Sequence, residues 1–285
     1  MPAEKIRESV IAGSWYTADP KLLKKELTMY LDRARPPRLK GELTGIVVPH
    51  AGYMYSGGVA AWSYKLLLDS RFDRVLILAP SHHASFSAAS IYSLGGYRTP
   101  LGTVGLDREL IDELYERKGL IGYFPHAESL EHSLEIQLPF LQTVLPDFSL
   151  TPVVMGSHGY DLCLKLAQAI AGACCRKRVL IVASSDLSHY HPYEEAKLLD
   201  KVCLDRIDAL DPEGLSADLE HRKTQACGAG PLITVMLAAR LLGANRGMVL
   251  NYANSGDVSG DMSAVVGYAA AVIYRRVEDG EAAMR

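Results

Sequence analysis

The stretch GIVVPHAGYMYSGGVAAWSYKLLLDSRFDRVLILAP, Gly45 to Pro80, decides the fold. Gly45–Pro49 is a short apolar, β-branched run and reads as a buried strand. Gly58–Asp69 has the length and small-residue content of a helix. Arg74–Pro80 is a second apolar run that ends in proline. Strand, helix and strand in this order form a β-α-β unit, whose crossover places the two strands parallel.

The same alternation continues along the chain. Leu150–Met155 reads as a strand, Tyr160–Cys174 as a helix, and Arg178–Ala183 as a strand of continuous apolar character. A run without polar alternation belongs in the middle of a sheet covered on both faces. Tyr193–Ala209 and Ala229–Leu242 read as helices, and Met248–Tyr252 and Ser263–Tyr274 close the sheet. Ala88–Ser93 and Thr103–Leu106 read as strands on either side of the loop GGYRTPLG and add an antiparallel element. Asp107–Lys118 reads as helical. Leu130, Leu134, Leu138 and Leu141 recur at spacings of four and three, which predicts an amphipathic helix over Ser129–Val144. Arg33–Lys40 is a surface loop. With no repeat and no long linker, the expectation is a single α/β domain over residues 1–285. Its central sheet is mixed but mostly parallel, with helices on both faces.

Composition narrows the function classes. The chain has 285 residues, 48% hydrophobic and 22% charged, and a net charge of −3 with nine neutral histidines. That suits a soluble globular enzyme. No basic excess points to a nucleic-acid partner. The longest apolar run, near Ala264–Tyr274, is too short to span a bilayer, so no membrane partner is expected. MPAEKIRESV is charged and lacks the apolar region of an export signal. The five cysteines (163, 174, 175, 203 and 227) show no CxxC spacing. A reduced, cytoplasmic protein without disulfides is expected.

Polar residues gather where the strands end. His50 follows the first strand, His82 and His83 the second, and His158 the run ending in VVMGSH. Asp186 and His189 follow Arg178–Ala183, and Asn254, Ser255 and Asp257 follow Met248–Tyr252. Ligands of open α/β sheets sit outside the carboxyl ends of parallel strands. Adjacent strands lie about 4.8 Å apart, so His50 and His82 can reach one ion. Cys227 precedes the Ala229–Leu242 helix, where free N–H groups favour a thiolate; the alternative is a buried structural cysteine. His83 is expected to point elsewhere, and His126 and His158 to be loop residues. ESLEHSLE, Glu128–Glu135, is not the HExxH of zinc proteases. Its His132 is either an ordinary residue near a helix start or support for a ligand histidine.

GSWY (Gly13–Tyr16), VPHAGYMYSGG, LAPSHH, ESLEHSLEIQLPFLQ, SSDLSHY, ACGAGP and YANSGD, in this order, resemble the Memo family over about residues 7–275. Bacterial and archaeal members are often named protein B of the AmmeMemoRadiSam system. That label implies association with a radical-SAM protein and an AMMECR-like protein. The resemblance implies a fold similar to class III extradiol dioxygenases. Carried over by motif, His50, His82 and Cys227 fall on the family's metal positions, and Asp186 and His189 on other pocket positions. His189 matches the acid/base histidine of the dioxygenases. Those enzymes hold Fe(II) with two histidines and a carboxylate; a thiolate here suits Fe(II) first, with Cu(I) or Zn(II) as alternatives.

The expectation is therefore a non-haem, metal-dependent redox enzyme acting on a small molecule or peptide. His189, oriented by Asp186, moves protons. Trp15, Tyr53 and Tyr55 line an aromatic pocket. Two alternatives stand beside it: a hydrolase or transferase with Cys227 as nucleophile and His189 as base, and a non-catalytic peptide- or metal-binding module. Glu194 and Glu195 after SDLSHY are a poor setting for an anionic phosphopeptide.

Overall fold

The structure is a computed structural model that describes residues 5–276. After an irregular N-terminal segment, α1 (Pro20–Arg33) leads into β1 (Gly41–Val48), α2 (Tyr53–Lys65) and β2 (Arg74–Pro80). Next come β3 (Ala89–Ile91), the hairpin β4 (Gly96–Thr99) and β5 (Gly102–Gly105), α3 (Arg108–Tyr115) and β6 (Ile121–Gly122). The turn α4 (Pro125–Glu128), a 3-10 turn at Glu135–Gln137 and α5 (Leu138–Val144) precede β7 (Ser149–Met155) and α6 (Tyr160–Cys174). The rest is β8 (Val179–Ser184), β9 (His189–His191), α7 (Tyr193–Asp208), α8 (Pro212–Glu220), α9 (Ala229–Leu241), β10 (Arg246–Asn254), α10 (Gly256–Ser259) and β11 (Val265–Arg276).

The main sheet runs β10-β11-β1-β8-β2-β7-β3-β6, with β9 paired to the start of β11. β1, β8, β2 and β7 are mutually parallel, and β11 runs antiparallel to β1 and β10. The sheet is therefore mixed with a parallel centre. The carboxyl ends of β1, β2, β7, β8 and β10 share one edge.

The continuous apolar strands feed two cores. Val47, Leu76, Leu78, Ile181 and Ala183 face one layer, with residues of α3, α6 and α9. Ile46, Val48, Val75, Ile77, Leu180 and Val182 face the other, with residues of α1, α2 and α5. The period-two alternation of a strand distributes the apolar run equally to both sides. Among the described residues, no helix is long and apolar enough to cross a membrane.

Several expected elements differ. α2 begins at Tyr53, close behind His50, rather than at Gly58. Gly57 lies within that helix, where a Cβ would meet the Tyr30 ring of α1 at 2.8 Å. The loop GGYRTPLG is itself half of a hairpin, β4 pairing with β5 apart from the main sheet. Helix α1, capped by Asp19 and burying Leu23, Leu27 and Leu31, was not read from the sequence, nor was α8.

Ser129–Val144 is not one helix. Pro139 supplies no N–H and sits instead in the first turn of α5. Upstream, the Glu131 carboxylate accepts the amides of His132 (3.0 Å) and Ser133 (2.9 Å), which holds this backbone in an irregular loop.

Candidate metal centre

Three imidazoles meet at the carboxyl edge of the sheet. One nitrogen each of His50, His82 and His132 lies within 4.8 Å of the others. Ring centroids are 5.2 Å apart for His50 and His82, and 4.6 Å for His82 and His132. β1 and β2 flank β8 and deliver the first two. The irregular loop after α4 delivers the third, which a continuous helix would have carried on a regular face.

The tautomers follow from the partners. Ser184 at the end of β8 donates its one hydroxyl hydrogen to the Ser133 carbonyl at 2.6 Å. Its lone pairs are left to accept from Gln137 Nε2 (2.8 Å) and His50 Nδ1 (3.0 Å). His50 therefore carries its proton on Nδ1 and presents a bare Nε2. His82 Nδ1 donates to Glu131 Oε1 at 2.9 Å, with the same result. A histidine whose far nitrogen is tied to a carboxylate or fixed acceptor is the usual arrangement of a metal ligand. His189 repeats it, donating from Nδ1 to the Leu187 carbonyl at 2.8 Å.

Cys227 joins from the start of α9. Its Sγ lies 3.0 Å from His50 Nε2 and accepts the Asp186 amide at 3.3 Å. Since His50 Nε2 is bare, the thiol donates to it. Gly228 permits this approach: a Cβ there would stand 2.3 Å from the Ser184 carbonyl oxygen.

Burial governs the charges. It drives His50 well below the ordinary histidine value, helped by His82 and His132. Burial also lowers His132 to about 4, against the pull of Glu131. His82 moves the other way, because the bond and charge of Glu131 outweigh its burial. Burial would raise Glu131, but His82 and the amides of His82 and Ser133 bring it well below the carboxylate range. Burial, with the charge of Asp186 added, pushes the Cys227 thiol up rather than down. The helix start alone does not make it a thiolate.

Asp186 differs from expectation. Its Oδ1 accepts the His50 amide at 2.7 Å, and burial raises it to about 7. Its Oδ2 is 4.0 Å from His50 Nε2. It braces the backbone of His50, whereas His189 is oriented by the Leu187 carbonyl. Of the aromatics, Trp15 lies 4.2 Å from the His132 ring and is 36% exposed. Tyr55 is exposed to the same extent. Tyr53 instead belongs to the core: it is 2% exposed, stacks with Tyr16 and donates its hydroxyl to the Ile136 carbonyl at 2.6 Å. His83 binds the Leu130 carbonyl through Nε2 at 3.1 Å, and His126 and His158 are exposed.

The donor set fits a metal ion. The three imidazoles are the group close enough to share an ion, and the far side of each of His50 and His82 is held; Cys227 Sγ adjoins His50 but is not part of that three-histidine group. Sequence reading left out Ser184, Gln137 and Arg7. A buried serine at the end of an apolar strand, in ASSD, was the available signal for the first.

A family model described as Memo-like protein matches residues 7–272. A MEMO1 family protein of Methanopyrus kandleri is 38% identical over 281 residues, covering 95% of this chain and 99% of that protein. Another, from Sulfolobus acidocaldarius, is 39% identical over 92% of this chain and 97% of its own length. The crystal structure of an uncharacterized protein from Escherichia coli K12 superposes with a TM-score of 0.55 at 12% identity. It covers 81% of this chain and 99% of that one, a likeness of fold. The chain belongs to the Memo family.

Proposed function

We propose that His50, His82 and Cys227 hold one metal ion, and that the protein is a non-haem, metal-dependent redox enzyme acting on a small molecule or peptide. One observation supports the reading: His50 and His82, with their tautomers fixed from behind, cluster at the carboxyl edge of the sheet, and the Cys227 thiol lies 3.0 Å from His50 Nε2. Fe(II) is the first choice, with Cu(I) and Zn(II) as alternatives. When bound, the ion supplies a Lewis-acidic and, for iron or copper, redox-active centre.

The chain's own residues do the rest. Cys227 gives up its proton to become a ligand, and metal binding therefore releases protons. His189, with Nδ1 engaged by Leu187, offers Nε2 to take a proton from a substrate. Asp186 fixes the backbone that carries His50. Trp15 and Tyr55 offer exposed aromatic faces, with Trp15 against His132. Association with a radical-SAM protein and an AMMECR-like protein belongs to the same proposal. Metal analysis after purification without added metal, followed by titration with Fe(II), Cu(I) and Zn(II), tests it. One ion per chain is expected; protein that binds none of the three sinks the reading.

A second reading has one observation in its favour, the thiol–imidazole pair of Cys227 and His50. The base of a nucleophilic mechanism would then be His50, not His189. Its burial speaks against a reactive thiolate. Alkylation of the metal-free protein near neutral pH separates the two. Fast labelling of Cys227 favours the nucleophile, and slow labelling with further protection by metal favours the ligand.

A further inference from the structure

The segment before α1 pairs with β4 through the Arg7 backbone and is gathered by side chains at one buried carboxylate. Glu135 accepts from Arg7 Nη1 (2.9 Å), Ser9 Oγ (2.5 Å), the Val10 amide (2.9 Å) and the Tyr16 hydroxyl (2.8 Å). The Ile11 amide adds a fifth contact at 3.4 Å. Arg7, itself buried, sends Nε to the Glu128 carbonyl at 3.0 Å and Nη2 to the Glu131 carbonyl at 2.6 Å. A planar guanidinium with several fixed donors suits such a junction, where a lysine would not serve.

The junction touches the histidine cluster in two ways. The Glu131 backbone is tied to Arg7, while its carboxylate takes the His82 amide (2.7 Å) and His82 Nδ1 (2.9 Å). At the other end of the segment, Trp15 packs against His132 and its carbonyl accepts the Tyr53 amide at 3.0 Å, at the start of α2. Neither Arg7 nor Glu135 bonds to a cluster histidine directly, so both act through Glu131 and Trp15.

We propose that Arg7 and Glu135 are positioning residues for the metal centre. They lock the N-terminal segment onto the loop after α4, and so set His82 through Glu131 and His132 through Trp15. The inference rests on reading the cluster as a metal site. Ligands must be held within about 0.5 Å of productive geometry, and losing an outer support costs roughly 10–100-fold in metal affinity.

The test uses the full chain in a Trp62→Phe background, which leaves Trp15 the sole tryptophan. Arg7→Met and Glu135→Gln are compared with that parent by far-ultraviolet circular dichroism, metal-free Trp15 emission and Zn(II) affinity in a chelator competition. Folded variants with red-shifted emission and Zn(II) binding weakened about 10–100-fold are expected. The double variant Ser9→Ala, Tyr16→Phe keeps Arg7 and removes two Glu135 donors. It carries the test if the charge variants do not fold, and a smaller change in the same direction is expected. Parental emission and affinity overturn the proposal, even if the melting temperature falls. A parent that binds no Zn(II) is titrated with Fe(II) and Cu(I) in its place, and one that binds none of the three removes the metal reading. The metal-free emission then shows separately whether the clamp places Trp15.

Discussion

Cys227 Sγ and His50 Nε2 lie 3.0 Å apart although 177 residues separate them in the chain. β1 and the N-terminus of α9 bring them together, and Asp186 joins both: its carboxylate accepts the His50 amide at 2.7 Å, its own amide reaches Cys227 Sγ and its carbonyl accepts the Cys227 amide at 3.2 Å. The contact makes Cys227 a candidate ligand rather than a packing residue.

Cys227→Ser keeps the fold and removes the soft donor. In the Co(II)-loaded protein, the sulfur-to-metal charge-transfer absorption should disappear, and affinity should fall at least about tenfold, since thiolates favour such ions over hydroxyl oxygen. An unchanged absorption spectrum in the variant would exclude Cys227 from the coordination sphere.

Ser184→Ala leaves Gln137 Nε2 and the Ser133 carbonyl each without one partner in a buried site. The cost should be about 1–3 kcal/mol of stability. The loss also frees the His50 tautomer, so metal affinity should fall about 10–100-fold. Denaturant melts and metal titration check the two effects; full stability with full affinity would contradict the tautomer argument.

Asp186 is raised from 3.8 to about 7. The folded state therefore binds this proton more tightly than the unfolded chain, and the stability it contributes is lost as pH rises from about 4 to about 7, where the buried charge forms. Metal-free Asp186→Asn should be more stable than the parent at pH 8, with the gap closing as pH falls from 7 to 4. Melting temperatures across that range decide it. A gap that widens toward acid would contradict the assignment.

Tyr53→Phe should destabilise the protein by about 1–3 kcal/mol, because the Ile136 carbonyl loses its buried donor. Metal affinity should stay at the parental level. Tyr55→Phe, on the exposed face of α2, should leave stability within about 0.5 kcal/mol. Urea melts of the two variants distinguish core from surface directly.

Much of this was legible in the sequence. Apolar runs such as Arg74–Pro80 and Val179–Ser184 specify strands covered on both faces, and the polar residues behind them mark the functional edge. The loop carrying His132 was not legible from leucine spacing. Its conformation depends on Glu131 capturing distant and local amides, a tertiary effect that periodicity does not carry. Pro139 was the one local warning. The orientation of His189 was misread for a similar reason. Asp186 is the nearest acid in sequence, but its carboxylate is occupied by the backbone at His50, and a main-chain carbonyl serves His189 instead. Tyr53 and Tyr55 look alike in YMY, yet the helix turns one inward and the other out.

Diffraction at the iron absorption edge from crystals loaded anaerobically with Fe(II) shows which side chains hold the ion. One anomalous peak bonded to His50 Nε2, His82 Nε2 and Cys227 Sγ is predicted. A cluster without a peak, or a peak held by the histidines with Cys227 still paired to its neighbours, would contradict it.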